Sequence, residues 1–187
     1  MENEMESNPW QIMDSHVKYE NAWIRVIEHE VMTPAQKEGI YGVVEFKNKA
    51  IAILPLDEDY NTWLVGQYRF PMEQYEWEVP EGGSPENETP LETAKRELAE
   101  EVGLVATEYI LIQEVQLSNC TTNEIGFIFV AKGLSEVRTS FDETEVLQSR
   151  KLAFEEVYQM AIRGEIKDNF SLTAIYRVKL MIQQGLL

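Results

Sequence analysis

The run from Gly82 to Leu104, GGSPENETPLETAKRELAEEVGL, restricts what this chain can fold into more than any other stretch. Thr89-Pro90-Leu91-Glu92 is a helix start: a threonine cap, a proline in the first helical position and a glutamate three residues past the cap. Gly103 suits the left-handed residue that closes the same helix. Between these ends Glu97, Glu100 and Glu101 stand at i, i+3 and i+4, which puts their carboxylates on one side of the helix. Like charges so spaced each cost roughly 0.2–0.5 kcal/mol in a bare helix, and Lys95 and Arg96 offset only part of that. Hard cations such as Mg²⁺ take oxygen ligands, commonly a carboxylate or two together with phosphate oxygens. Such a face makes sense if metal and diphosphate are its missing partners. The helix by itself would equally serve as a solvated acidic surface.

The wider spacing decides between the two. Gly82 is followed after five residues by Glu88, and after seven more by Arg96-Glu97-Leu98-Ala99-Glu100-Glu101-Val102-Gly103-Leu104. This pattern, G-x5-E-x7-R-E-U-x-E-E-x-G-U with U an aliphatic residue, resembles the Nudix box. That box is the signature of hydrolases that cut a nucleoside diphosphate linked to another group. The resemblance implies that Glu97 and Glu101 are the main metal ligands and that Glu100 is a further ligand with a place among the catalytic residues. It makes the backbone carbonyl of Glu81 the last member of the metal site. Glu88 and Arg96 read as a pair that braces the loop against the helix. Mg²⁺ is the implied cofactor, and Mn²⁺ is able to replace it.

Two flanking segments bear on substrate. Val65-Gly66-Gln67-Tyr68-Arg69, followed by Trp77-Glu78-Val79-Pro80-Glu81-Gly82-Gly83, is similar to the approach to the box in hydrolases of ADP-ribose and nucleoside diphosphate sugars. By that likeness Arg69 reaches a substrate phosphate and Glu78 helps line the site. Arginine suits this, because its planar, permanently charged fork can grip two phosphate oxygens. Farther on, Phe141-Asp142-Glu143-Thr144-Glu145-Val146 is an acidic loop where these relatives place a general base, with Glu145 preferred over Glu143. Only geometry can choose, since a base must come within about 3 Å of the attacking water. After the box the chain departs from the ADP-ribose pattern, for LSNCTTNE lacks the proline those enzymes carry there.

The implied reaction is Mg²⁺-dependent hydrolysis of the diphosphate bond of a nucleoside diphosphate sugar, such as ADP-ribose or ADP-glucose. It yields a nucleoside monophosphate and a sugar phosphate. Cleavage of nucleoside triphosphates or dinucleoside polyphosphates is the alternative within the family. A non-catalytic, nucleotide-sugar-sensing domain is the alternative outside enzymology. Trp10, Trp23, Tyr41 and Tyr68 are available to stack on a base, although most aromatic residues are expected in the core.

Charge narrows the partners. Asp and Glu outnumber Lys and Arg 33 to 16, a formal charge of −17. Such a surface repels nucleic acid and, without metal shielding, a diphosphate as well. No apolar run approaches the length of a membrane span, and the acidic start MENEMESNPW has no secretory profile. A lone cysteine, Cys120, is compatible with a reducing cytoplasm, the expected location. The expected partner is thus a small molecule, with neither nucleic acid nor membrane.

At 187 residues the chain has room for one well-cored domain with a modest extension. Strands are expected over Lys18–Val31, Ile40–Phe46, Ala50–Leu56, Thr62–Phe70, Tyr75–Val79, Ile110–Glu114, Ile125–Val130 and, more weakly, Val146–Lys151. Helices follow over Ala153–Arg163 and Ser171–Gln184, the second with Leu172, Ile175, Val178 and Ile182 on one side. Strands, one carboxylate helix, strands again and helices last give an α+β layered domain. This is also the order of the Nudix fold, an α/β/α sandwich, here with an N-terminal β extension. Residues 1–48 are expected as that extension, its strands contributing to a homodimer, and residues 49–187 as the hydrolase domain.

Overall fold

The structure, a computed structural model, describes residues 7–137 and 147–187. They form two compact units, one of the residues up to Asn48 with Gln116–Glu124, the other of Lys49–Val115 with Ile125–Leu187.

The first unit is an antiparallel sheet of β1 (Gln11–Glu20), β2 (Ile24–Met32) and β3 (Glu38–Phe46), in that order. The single strand expected over Lys18–Val31 is in fact the end of β1, a turn over residues 21–23 and nearly all of β2. Asn21 breaks it, its Oδ1 accepting the amides of Trp23 and Ile24, both at 2.8 Å. A short side chain that bonds to its own backbone makes a turn without glycine or proline. On the far side of β3, the Val44 amide donates to the Thr121 carbonyl at 2.8 Å and the Phe46 amide to Asn123 Oδ1 at 2.7 Å. These bonds tie Gln116–Glu124 into this unit.

The second unit is built on a sheet of order β7-β4-β9-β8, from β4 (Lys49–Pro55), β7 (Glu81–Ser84), β8 (Leu104–Gln116) and β9 (Ile125–Glu136). Strand β4 pairs parallel with β9 and antiparallel with β7. Side chains alternate across a strand, and β4 uses both faces. Ile51 and Ile53 cluster with Ala94 and Leu98 of helix α1 (Pro90–Val102) and with Leu104, Phe129 and Ala131. Burial of a leucine such as Leu98 stabilises by about 1.5–3 kcal/mol. On the other face lies helix α3 (Asn169–Gln183), whose Phe170 ring fills the space that a side chain at Gly126 would need. One sheet between two helices is the expected α+β layering.

A second sheet joins β5 (Asn61–Arg69), β6 (Gln74–Glu78) and β10 (Gln148–Ala153) in the order β10-β5-β6, all antiparallel. Helix α2 (Phe154–Ile162) packs on β5 and β10. A turn of 3-10 helix, Phe70–Met72, connects β5 to β6.

Helix α1 begins and ends where its capping signals say. Thr89 and Glu92 form the full capping box, and Gly103 closes the helix at φ 67°. A cap of this kind is worth about 1 kcal/mol. Other expectations need correction. Strands β8 and β9 run well beyond ILIQE and IGFIFV, because their sheet partners carry them past the apolar run. The strand expected over Val146–Lys151 is β10, Gln148–Ala153. Strand β7 went unread, since EGGS has no strand propensity and becomes a strand by pairing with β4. Helix α3 buries Phe170, Ser171, Ala174, Ile175 and Val178, leaving Leu172 and Ile182 only half-buried. The aromatic residues are mostly not core: of those described, Phe129, Phe154 and Phe170 are buried, whereas Trp10, Trp23, Tyr19, Tyr68 and Phe70 are exposed. Aliphatic side chains fill most of the central sheet, and the exposed rings lie on open strand faces (Tyr19, Tyr68) or outside the strands (Trp10, Trp23, Phe70).

Candidate active site

The elements place the site residues at strand ends and on one helix. Arg69 is the last residue of β5, Glu78 the last of β6, Glu81 the first of β7, and Glu97, Glu100 and Glu101 lie on α1. Arg69 and Glu78 come together as an ion pair, with Arg69 Nε donating to Glu78 Oε2 at 2.9 Å and Nη2 donating to the same oxygen at 2.5 Å. The same Nη2 also donates to Glu81 Oε1. Burial alone would lower the Arg69 pKa, but the carboxylates of Glu78 and Glu81 raise it above its ordinary value.

Glu81 is the hinge of the arrangement. The Ile53 amide donates to the Pro80 carbonyl at 2.8 Å, and Gly82 pairs with Ile51 on β4. Backbone groups of successive strand residues face opposite ways, so the N–H and C=O of Glu81 both turn from β4 toward the free edge of β7. There the Glu81 amide donates to Glu101 Oε2 at 3.0 Å. The Glu81 carbonyl thus faces the same side as the Glu101 carboxylate, which is itself buried at 5% exposure. Gly82 leaves room for this approach, since a Cβ there would overlap the Glu97 carboxylate.

Arg96 does more than brace. Its Nε donates to both Glu88 oxygens at 3.2 and 3.3 Å, and its Nη2 to the Gly83 carbonyl at 3.3 Å. Its Nη1 donates to Glu97 at 2.8 Å and to Glu100 at 2.9 Å. The guanidinium therefore sits among three box carboxylates, and Glu88 is held below the usual carboxylate range mainly by its hydrogen bond to Arg96.

A residue that sequence reasoning missed joins the group. Glu78, Glu81 and Asp168 each bring a carboxylate oxygen within 4.8 Å of the other two. Asp168 caps α3, its Oδ2 accepting the Ser171 amide at 2.6 Å. The signal was present as Asp-x-x-Ser before an apolar run, but the segment read only as a connection between helices. Burial, then the negative charges of Asp168 and Glu78, raise the Glu81 pKa well above its ordinary value. The sign is that of a carboxyl favoured as the neutral acid in the fold: its stability is present at low pH and lost as pH rises through the folded value.

The residues fit a hard divalent cation. Glu81 Oε2 is buried and accepts no hydrogen bond, and the surrounding donors are oxygens, which such ions prefer. Glu143 and Glu145, the candidate bases, lie outside the described residues. Of the stacking candidates, Trp10 and Tyr41 pack edge to face at 5.2 Å in the first unit.

Two family models match the chain. A family model described as the NUDIX domain matches residues 46–171. A second, described as the nucleoside diphosphate sugar hydrolase N-terminal domain, matches residues 10–44. The chain is 31% identical over 133 residues to the methanol dehydrogenase activator of Bacillus methanolicus, covering 70% of this chain and 72% of that protein. It is 30% identical over 133 residues to the ADP-ribose pyrophosphatase of Bacillus subtilis (strain 168), with the same coverage. A crystal structure of an ADP compounds hydrolase superposes with a TM-score of 0.84 at 20% identity, covering 95% of this chain and 97% of that one, a likeness of fold.

Proposed function

The chain belongs to the Nudix family and is a Nudix pyrophosphohydrolase, and from that premise we propose that it hydrolyses the diphosphate bond of nucleoside diphosphate sugars. ADP-ribose and ADP-glucose are the leading candidates. Water attacks one phosphorus, the bridging P–O bond breaks, and a nucleoside monophosphate and a sugar phosphate leave. The observation that carries the reading is the Glu81 peptide, turned from its sheet to face a buried Glu101 beside the orphaned Glu81 Oε2.

Glu97, Glu100, Glu101 and the Glu81 carbonyl would hold Mg²⁺, or Mn²⁺ in its place. Bound there, the metal would neutralise diphosphate charge and lower the pKa of a water. Arg69, fixed by Glu78 and Glu81 through Nε and Nη2, presents its Nη1 edge to a phosphate oxygen and orients the leaving group. Glu145, or Glu143, takes the proton of the attacking water. Glu88 and Arg96 keep the loop and α1 in register.

The exposed Cys120 is compatible with a reducing cytoplasm, where we place the reaction. No helix among the described residues is long and apolar enough to cross a membrane.

The test is turnover of ADP-ribose, ADP-glucose, UDP-glucose, GDP-mannose, dGTP and a diadenosine polyphosphate with Mg²⁺, beside Glu101→Gln. The variant keeps an acceptor for the Glu81 amide and removes the charge. Turnover of nucleotide sugars that falls by about 10²-fold in the variant supports the proposal. Turnover of triphosphates or dinucleotides alone would overturn the substrate, and inactivity on the whole panel would favour a sensor.

A further inference from the structure

Three consecutive residues lead into the metal-facing carbonyl, and each is pinned by a different element. The Pro80 carbonyl is held by β4 through the Ile53 amide at 2.8 Å, and the Glu81 amide by α1 through Glu101 at 3.0 Å. The third tie comes from α3. The Val79 amide donates to Ser171 Oγ at 2.9 Å, in a buried bond that spans 92 residues of sequence. Val79 lies between β6 and β7, outside both strands, so the serine supplies what a sheet neighbour otherwise would. Ser171 is fully buried, and its own amide is fixed by Asp168 Oδ2 at 2.6 Å.

Simple packing would not require this chemistry. A helix N-terminus can be capped at the surface by one side chain and solvent. Here the cap residue is turned inward, its carboxylate close to Glu78 and Glu81, and the serine it holds reaches across to the strand connection. The neighbouring Phe170 sets the depth of the helix by filling the space over Gly126. Helix α3 is therefore registered against the very peptide that the Nudix box needs in place.

We propose that Ser171, held by Asp168, is a positioning residue that acts through Val79 and Pro80 on the Glu81 carbonyl. The proposal rests on the assignment of that carbonyl as a metal ligand. Outer-shell hydrogen bonds of this sort orient ligands, and their loss costs about 10–100-fold in metal affinity.

Mn²⁺ binding to the full chain, followed by electron paramagnetic resonance of the free ion, separates the two ideas. Circular dichroism melts identify a temperature at which each variant is folded. Glu101→Gln tests the site: if it binds Mn²⁺ as tightly as the wild type, the metal assignment itself fails. Ser171→Ala tests the proposal, with an expected loss of about tenfold in Mn²⁺ affinity. Val178→Ala, a buried change on the same helix that removes no hydrogen bond, should lower the melting midpoint and leave Mn²⁺ affinity unchanged. Where Ser171→Ala does not fold, Ser171→Cys, which keeps the side-chain volume and weakens the acceptor for the Val79 amide, takes its place with a loss in the same direction. Wild-type affinity in the folded serine variant, with Glu101→Gln impaired, would overturn the proposal. So would an equal loss in Val178→Ala.

Discussion

Gly82 is a glycine for reasons of space, not of backbone angle. A methyl group there would meet the Glu97 carboxylate, the far end of a flexible side chain, so the fold can absorb it by moving that group away. Gly82→Ala should therefore keep the melting midpoint within about 2–4 °C of wild type, the shift expected of ~1 kcal/mol in a chain of this size. It should lower kcat/KM by about tenfold or more through displacement of a ligand. Undiminished turnover would mean that Glu97 is not needed where it stands. At this scale the sequence was most readable where spacing carries the chemistry. The box, Arg69 and Glu78 could be picked out because each sits at a fixed offset from its neighbours. Asp168 and Ser171 were readable only as an Asp-x-x-Ser helix start, because what they face, Glu78 and Glu81 for the one and Val79 for the other, is remote in sequence.

Elements obey the same division between local and non-local causes. Helix α1 was legible to the residue, since Thr89, Pro90, Glu92 and Gly103 act within a turn or two of themselves. The β1–β2 hairpin was lost because Asn21 makes its turn without the usual glycine or proline, and β7 because it exists by virtue of β4. The turn between β4 and β5 offers an element-scale test. Burial would raise the Asp57 pKa, but Lys151 of β10 and Asn61 of β5 overcome it and hold the group at about 2, against 3.8 for the free side chain. A carboxyl depressed by folding contributes stability above its unfolded value, and this is lost as pH falls through the folded value. Melting midpoints should thus fall as pH drops from 3.8 toward 2, and Asp57→Asn should flatten that part of the curve. An identical slope in the variant would show that other carboxylates set the acid limb.

For the molecule as a whole, the first unit raises the question of assembly. All ten positions of β1 are exposed, although they include Ile12, Met13, Val17 and Tyr19. A long edge strand with apolar side chains is a template for pairing. We propose a second copy of this chain as the partner. Sedimentation equilibrium should report a dimer, and Val17→Asp should shift it toward monomer while circular dichroism stays native. A monomeric wild type would refute this. The formal charge of −17 belongs to the same scale, and it disfavours the approach of any polyanion to the bare protein.

The peptide at Glu81 is fastened from residues 53, 101 and 171. Contacts of such long sequence separation form late, after loop closure has been paid for. A chain emerging from the ribosome would hold the entire Gly82–Leu104 motif long before Ser171 is made. During that interval the motif is present as text, while the third fastening of the Glu81 peptide waits for the synthesis of α3.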